Sequence, residues 1–191
     1  MRDLDALILG RRRGLPDHIA PLRAAFPKTG WRTHANFGAL ADFWLHVHAS
    51  LRQEGDAVCW TVNAFRARTL DPADFQQRFA TRLNRFLQHL DQHHRIEDHA
   101  YFPKFRQLDP RLVIGFDLLE ADHALIHEQL VATVTQARTL LQALAGPDAT
   151  RAADGYAPQI EAFVALLLAH LADEEDLVIP AILQHGERAL G

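Results

Sequence analysis

Apolar residues return every three to four positions over long stretches of this chain, and no run keeps up a period-2 alternation. That pattern predicts an almost wholly helical protein. A first helix is predicted over about Asn36–Thr69, with Phe37, Leu40, Trp44, Val47, Leu51, Val58, Val62 and Phe65 on its apolar face. Gly55 lies on the same stripe and would admit a close neighbour. Asp71-Pro72 reads as an N-cap followed by proline at the first helical position. The helix it opens runs to about Gln107, with Phe79, Leu83, Phe86, Leu90, Glu97 and Tyr101 facing inward. Asp109-Pro110 repeats the start signal for a third helix, whose inner face carries Leu112, Phe116, Leu119, His123, Leu130 and Val134 and which ends at Gly146-Pro147. A fourth begins at or soon after Asp148 and stops at Gly186, with Gly155 and Pro158 expected to break its first turns. Short turns between long amphipathic helices imply antiparallel neighbours, hence an all-α, up-down-up-down four-helix bundle over residues 36–186. Residues 1–35 read as a short N-terminal extension. In it, Leu15-Pro16-Asp17 opens a helical piece that stops near Phe26-Pro27, and Gly30 ends the segment.

Composition narrows the function. The 191 residues suffice for one domain with a real core, and a net charge of -4 gives no case for a nucleic-acid or membrane partner. The one basic cluster, Arg11-Arg12-Arg13, is expected on a solvated N-terminal segment. Cys59 is the single cysteine, so no intrachain disulfide forms, which fits a reducing cytoplasm. Met1-Arg2-Asp3-Leu4-Asp5 carries acids where a signal peptide carries bases, and Ala6–Leu9 is too short an apolar core for one. The longest uncharged apolar run, Ala162–Ala169, is far below a membrane span. The outlying number is 12 histidines, against 2 tyrosines and 1 methionine.

Position gives those histidines meaning. His93-His94-Arg95-Ile96-Glu97-Asp98 leads to Pro103, and His170-Leu171-Ala172-Asp173-Glu174-Glu175 leads to Pro180. Both read His-x3-Glu-acid, with proline ten residues after the histidine. Histidine and glutamate four apart lie one turn from each other on one helix face. At about 100° per residue, His48 falls on the apolar stripe near Trp44, whereas His46 points to solvent. By the same reading Glu174 is buried and Glu175 points away. Residues of a helical hairpin are level when their midpoint falls at the turn. The midpoints of 48 and 93, 93 and 123, and 123 and 170 fall at 70.5, 108 and 146.5, each at one of the turns named above. His48, His93, His123 and His170 should therefore share one layer, with Glu97 and Glu174 in the next. A lone histidine on an apolar face is usually a satisfied core residue, and one His-x3-Glu pair is usually a solvated face. Two copies in register with two more level histidines point to metal, because unpaired carboxylates are costly to bury. Imidazole and carboxylate without thiolate suit iron or manganese, and zinc also accepts them.

Around this set, His94 either supports the ligands or replaces His93, and His127 is a candidate fifth histidine. Asp98, Asp122, Asp173 and Glu175 either accept from ligand N–H groups or are exterior charges. Tyr101 either donates to a bound exogenous ligand or is a core tyrosine. His18, His34, His46, His89, His99 and His185 read as surface or structural.

On His48, His93-x3-Glu97, His123 and His170-x3-Glu174, the chain resembles hemerythrin-like proteins carrying the His-His-Glu cation-binding domain, over about Asn36–His185. The resemblance implies a four-helix bundle around two non-haem irons, oxo- or carboxylate-bridged, with a position left for O2 or NO. It also implies one iron on His48 and His170, the other on His93 and His123, and Glu97 and Glu174 bridging. Oxygen carriers of the family end on His-x4-Asp. Here that position is Glu175, a pattern closer to relatives linked to iron-centre repair and nitric-oxide stress. The leading expectation is a di-iron protein meeting O2 or NO in sensing, storage or stress response. Beside it stand a di-iron enzyme acting on O2, peroxide or NO, and a partner-binding bundle with a structural metal.

Overall fold

The computed structural model describes residues 6–190. Met1–Asp5, whose charges entered the reading of the N-terminus, lie outside the described residues. Among the described residues every regular element is helical: α1 Ala39–Arg66, α2 Pro72–Ile96, α3 Phe102–Leu108, α4 Val113–Ala143 and α5 Ala149–His185. Short 3-10 helices lie at Lys28–Thr33, Pro110–Leu112 and Glu187–Leu190. None of these helices is long and apolar enough to cross a membrane.

The start signals act as their chemistry predicts. The Asp71 side chain accepts from the Asp74 amide at 2.9 Å, and Asp109 accepts from the Arg111 amide at 3.0 Å, each with proline next in line. Three expectations need correction. Gly155 and Pro158 do not break α5, which is continuous through both. Ala153, Tyr156, Ala157 and Ile160 are all buried on one side of this stretch, and that packing outweighs the local cost of the exposed proline. The segment from Leu15 to Phe26 forms successive turns rather than a helix, and Gly30 lies inside a 3-10 turn instead of ending the segment. The second predicted helix is interrupted by a π-helical turn at Glu97–Tyr101, where the Phe102 amide donates to the Glu97 carbonyl. Pro103 follows at once and has no N–H to continue the preceding ladder.

The chain divides into two compact units. Among the described residues, one combines residues 6–49 with His93–Leu125 and residues 168–190. Its core joins Trp44, Phe102, Phe105, Phe116, Leu119, Leu177 and Ile182 to Leu15, Ile19, Leu22 and Trp31 of the N-terminal segment. That segment is packed closely: a Cβ added at Gly115 would meet the Ile19 carbonyl oxygen at 3.2 Å. Glu187 accepts from the amides of Leu40 and Ala41 at 2.6 and 3.3 Å, satisfying the first donors of α1 with a carboxylate.

The other unit holds Ser50–Gln92 and Ile126–Leu167. Phe75 stacks between Phe65 at 4.3 Å and Phe79 at 5.0 Å, and Tyr156 meets Phe79 edge-on. A Cβ on Gly55 would lie 3.2 Å from Val164, the close approach its place on the stripe suggests. Helix α1 ends here in a Schellman motif. The Thr69 amide donates to the Ala64 carbonyl and the Arg68 amide to the Phe65 carbonyl, both at 2.9 Å. Arg68 takes the left-handed position at φ 59°, where a side chain costs about 1–2 kcal/mol. Arg68→Gly should therefore raise the unfolding free energy by roughly 0.5–1 kcal/mol in a urea titration, after the entropy glycine adds to the unfolded chain. A loss of stability would show that the Arg68 side chain contributes more than its backbone strain costs.

Candidate metal centre

All six sequence-predicted site residues belong to the first unit, and all are buried. His48 comes from α1, His93 from α2, Glu97 from the π turn, His123 from α4, and His170 and Glu174 from α5. Their ligand atoms fall into two groups, each with every atom within 4.8 Å of the others: His48, His93, Glu97 and Glu174, and His94, His123 and His170. This grouping differs from the pairing the resemblance implied. His93 sits with His48, and His94 takes the place beside His123, their rings stacked at 3.9 Å. The sequence left His94 open because it adjoins His93 and both positions face partly inward.

Each of three imidazoles has its Nδ1 held by a carboxylate. His48 Nδ1 donates to Glu175 at 3.0 Å, His123 to Asp98 at 2.7 Å, and His170 to Asp122 at 3.4 Å. Such partners fix the ring orientation and the tautomer, and leave Nε2 as a lone pair pointing the other way. The Nε2 atoms of His48, His93 and His94, both carboxylate oxygens of Glu97 and Oε2 of Glu174 are buried and have no hydrogen-bond partner. His93 Nε2 and Glu97 Oε1 lie 3.1 Å apart, and His170 Nε2 and Glu174 Oε2 3.3 Å. His123 and His170 turn their Nε2 atoms toward each other at 3.0 Å. With both Nδ1 protons committed to aspartates, something positive must lie between those two lone pairs.

The electrostatics of the metal-free protein agree. Burial would lower His170, but Asp122 and Glu174 outweigh it and raise the imidazole to about 9, so a proton supplies the positive charge. His48 is raised in the same way, by Glu174 and Glu175 against burial. His93 is lowered to about 3, by burial first and then by the neighbouring histidines, and His94 is lowered well below the ordinary value for the same reasons. Burial and the adjacent Glu174 charge push Glu97 well up, whereas the surrounding imidazoles outweigh burial and hold Glu174 well down.

Several neighbours escaped the sequence reading. Trp44 donates its indole N–H to Glu174 Oε1 at 2.6 Å and meets the Tyr101 ring edge-on at 5.0 Å. Its place one turn before His48 on the apolar stripe was the available signal, since a buried indole needs an acceptor. Glu175, which the helix angle turned away but which also stood as a candidate acceptor, is buried, and its carboxylate accepts from His48. Arg12 is not solvated with Arg11 and Arg13 but buried against Asp122 and Asp173. His127 is exposed beside Asp91 and joins neither donor group, and His46 is exposed. Among the histidines read as structural, His89 pairs with Glu54 and His185 with Asp109.

Buried, convergent, unpaired nitrogen and oxygen donors with their outer faces braced by carboxylates define a protein built to bind metal cations. The family model for the Hemerythrin HHE cation binding domain matches residues 39–183. The chain belongs to that family. No curated protein and no solved structure matches it.

The metal-free protein should be most stable near pH 6.5, the ordinary histidine value. As pH falls from there toward 3, the unfolded chain protonates histidines that the fold holds neutral, and His93, His94 and His123 together outweigh Glu97, which takes a proton in the fold. As pH rises toward 9, His170 keeps its proton only in the fold, and that contribution fades. Thermal melts of chelator-treated protein across this range check it, and a flat profile would contradict the burial of these groups.

Proposed function

We propose that this protein holds two non-haem irons at the two donor groups and binds a small diatomic ligand, O2 or NO, in sensing, storage or stress response. One ion would take His48, His93, Glu97 and Glu174, and the other His94, His123 and His170, with the free oxygens of Glu97 and Glu174 available to reach both. The observation that carries this reading is the set of unpaired Nε2 and carboxylate oxygen atoms converging in a dry core. The donor chemistry fits. Imidazole and carboxylate without thiolate suit iron, and five histidines with two carboxylates leave two octahedral ions short of a full protein shell. When bound, the iron pair would supply the redox-active centre at which a diatomic molecule is held.

The chain's own residues account for the rest. Asp98, Asp122 and Glu175 hold His123, His170 and His48 with Nε2 inward. Trp44 pins one oxygen of Glu174, and the other faces His170 Nε2 at 3.3 Å without a hydrogen bond. Burial of Phe102, Phe105 and Phe116 beside the site keeps bulk water out, which strengthens every charge interaction within it.

Protein loaded with ferrous iron should bind close to two ions per chain, and azide or NO should change its absorption spectrum. His48→Ala should lower bound iron substantially, because it removes a donor that the rest of the site is arranged around. His46→Ala should leave iron content unchanged, its side chain being exposed. One iron per chain would contradict the pair. A loss in His46→Ala with retention in His48→Ala would contradict the assignment of the α1 face.

A further inference from the structure

The segment before α1 contributes one charged side chain to the layer around the candidate ligands, at a position that no sequence pattern marks. Arg12 is 9% exposed, in a chain where Arg11 and Arg13 on either side are open to solvent. Gly10 and Gly14, with φ of 83° and 95°, take left-handed conformations that favour glycine and frame the three arginines in a tight turn. The amides of Arg11 and Arg12 both donate to the Ile8 carbonyl, and Leu9 and Leu15 are buried on either side. The turn therefore presents Arg12 alone to the interior.

The guanidinium there is almost fully used. Nη1 donates to Asp122 Oδ1 at 2.9 Å and to the Leu7 carbonyl at 2.7 Å, Nη2 donates to Asp122 Oδ2, and Nε donates to Asp173 Oδ2 at 2.6 Å. Asp122 lies on α4 and Asp173 on α5, so one side chain ties the two helices together. Each aspartate immediately precedes a candidate ligand, His123 and Glu174. Asp122 Oδ2 is also the acceptor for His170 Nδ1 at 3.4 Å.

We propose that Arg12 is a positioning residue of the metal centre, acting through Asp122 on His170, and that the N-terminal segment is thereby part of the metal-binding apparatus. This rests on the reading that the donor groups bind metal. A carboxylate held by one imidazole alone can turn about its own bond. Held at both oxygens by a planar guanidinium, its plane is fixed, and so is the direction from which His170 Nδ1 must approach. The second link, to Asp173, sets the spacing of α4 and α5 at the level of the ligands. By reciprocity, a metal ion that is bound more tightly when Arg12 is docked also tightens that docking by the same factor.

The test is Co2+ binding by chelator competition on the full chain, for wild type, Arg12→Ala, Asp122→Asn and the double variant. Arg12→Ala should weaken Co2+ binding by about tenfold or more, the scale seen when a partner of a ligand is lost. The combined loss in the double variant should fall well short of the sum of the two single losses, because Arg12 acts chiefly through that carboxylate and only secondarily through Asp173. Arg12→Lys should recover only part of the loss, since an ammonium keeps the charge but cannot span both oxygens of Asp122 and reach Asp173 as well. Should Arg12→Ala not fold, the lysine variant, alone and combined with Asp122→Asn, carries the same comparison. Wild-type affinity in a folded Arg12 variant would overturn the proposal and leave the ion pair a matter of fold stability only. Losses that add in full in the double variant would overturn it equally. Failure of wild type to bind Co2+ would overturn the metal reading itself.

Discussion

Five imidazoles and two carboxylates face one another in a space that excludes water, and charge in such a space must be neutralised or paired. The rest of the first unit is arranged around that constraint. In the metal-free protein the compensation is protonic: His170 and His48 are shifted toward their charged forms, Glu97 toward its neutral acid, and His93 and His94 toward neutral imidazole. That distribution still leaves six buried nitrogen and oxygen atoms of these residues without a hydrogen bond. A cation bonded to those atoms would replace several shared protons at once, and its binding would then be coupled to folding.

Precision comes from the ring of groups outside the donors. Asp98, Asp122 and Glu175 each take an Nδ1–H, and Trp44 holds one oxygen of Glu174. These contacts decide which nitrogen of each imidazole faces inward. The π turn at Glu97–Tyr101 belongs to the same apparatus. It inserts a wider turn where Glu97 leaves the helix, a deviation that recurs at functional sites because it re-aims one side chain without ending the helix.

Much of this is legible in the residues alone. The Asp-Pro start signals at Asp71 and Asp109, the His-x3-Glu repeat and the hairpin midpoints depend on local chemistry and helical period, which the chain carries openly. What stays hidden depends on partners remote in sequence or on departures from that period. Arg12 meets aspartates 110 and 161 residues away, so no local pattern marks it. Glu175 lies off the predicted inner face by angle, yet its long side chain reaches back to His48. The π turn spans only five residues, too few to disturb the apparent periodicity. Gly155 and Pro158 mislead in the opposite direction, because tertiary packing of their buried neighbours holds the helix together. The His-x3-Glu register selects His93 and leaves the part of adjacent His94 open, and the fold gives each a place in a different donor group.

The arrangement of the first unit serves its purpose only if the two donor groups hold a pair of metal ions. The most direct measurement is a crystal structure of iron-loaded protein with anomalous diffraction collected at the iron edge. Two peaks are expected, one among His48, His93, Glu97 and Glu174 and the other among His94, His123 and His170. A single peak, or iron bound away from these side chains, would contradict the paired centre.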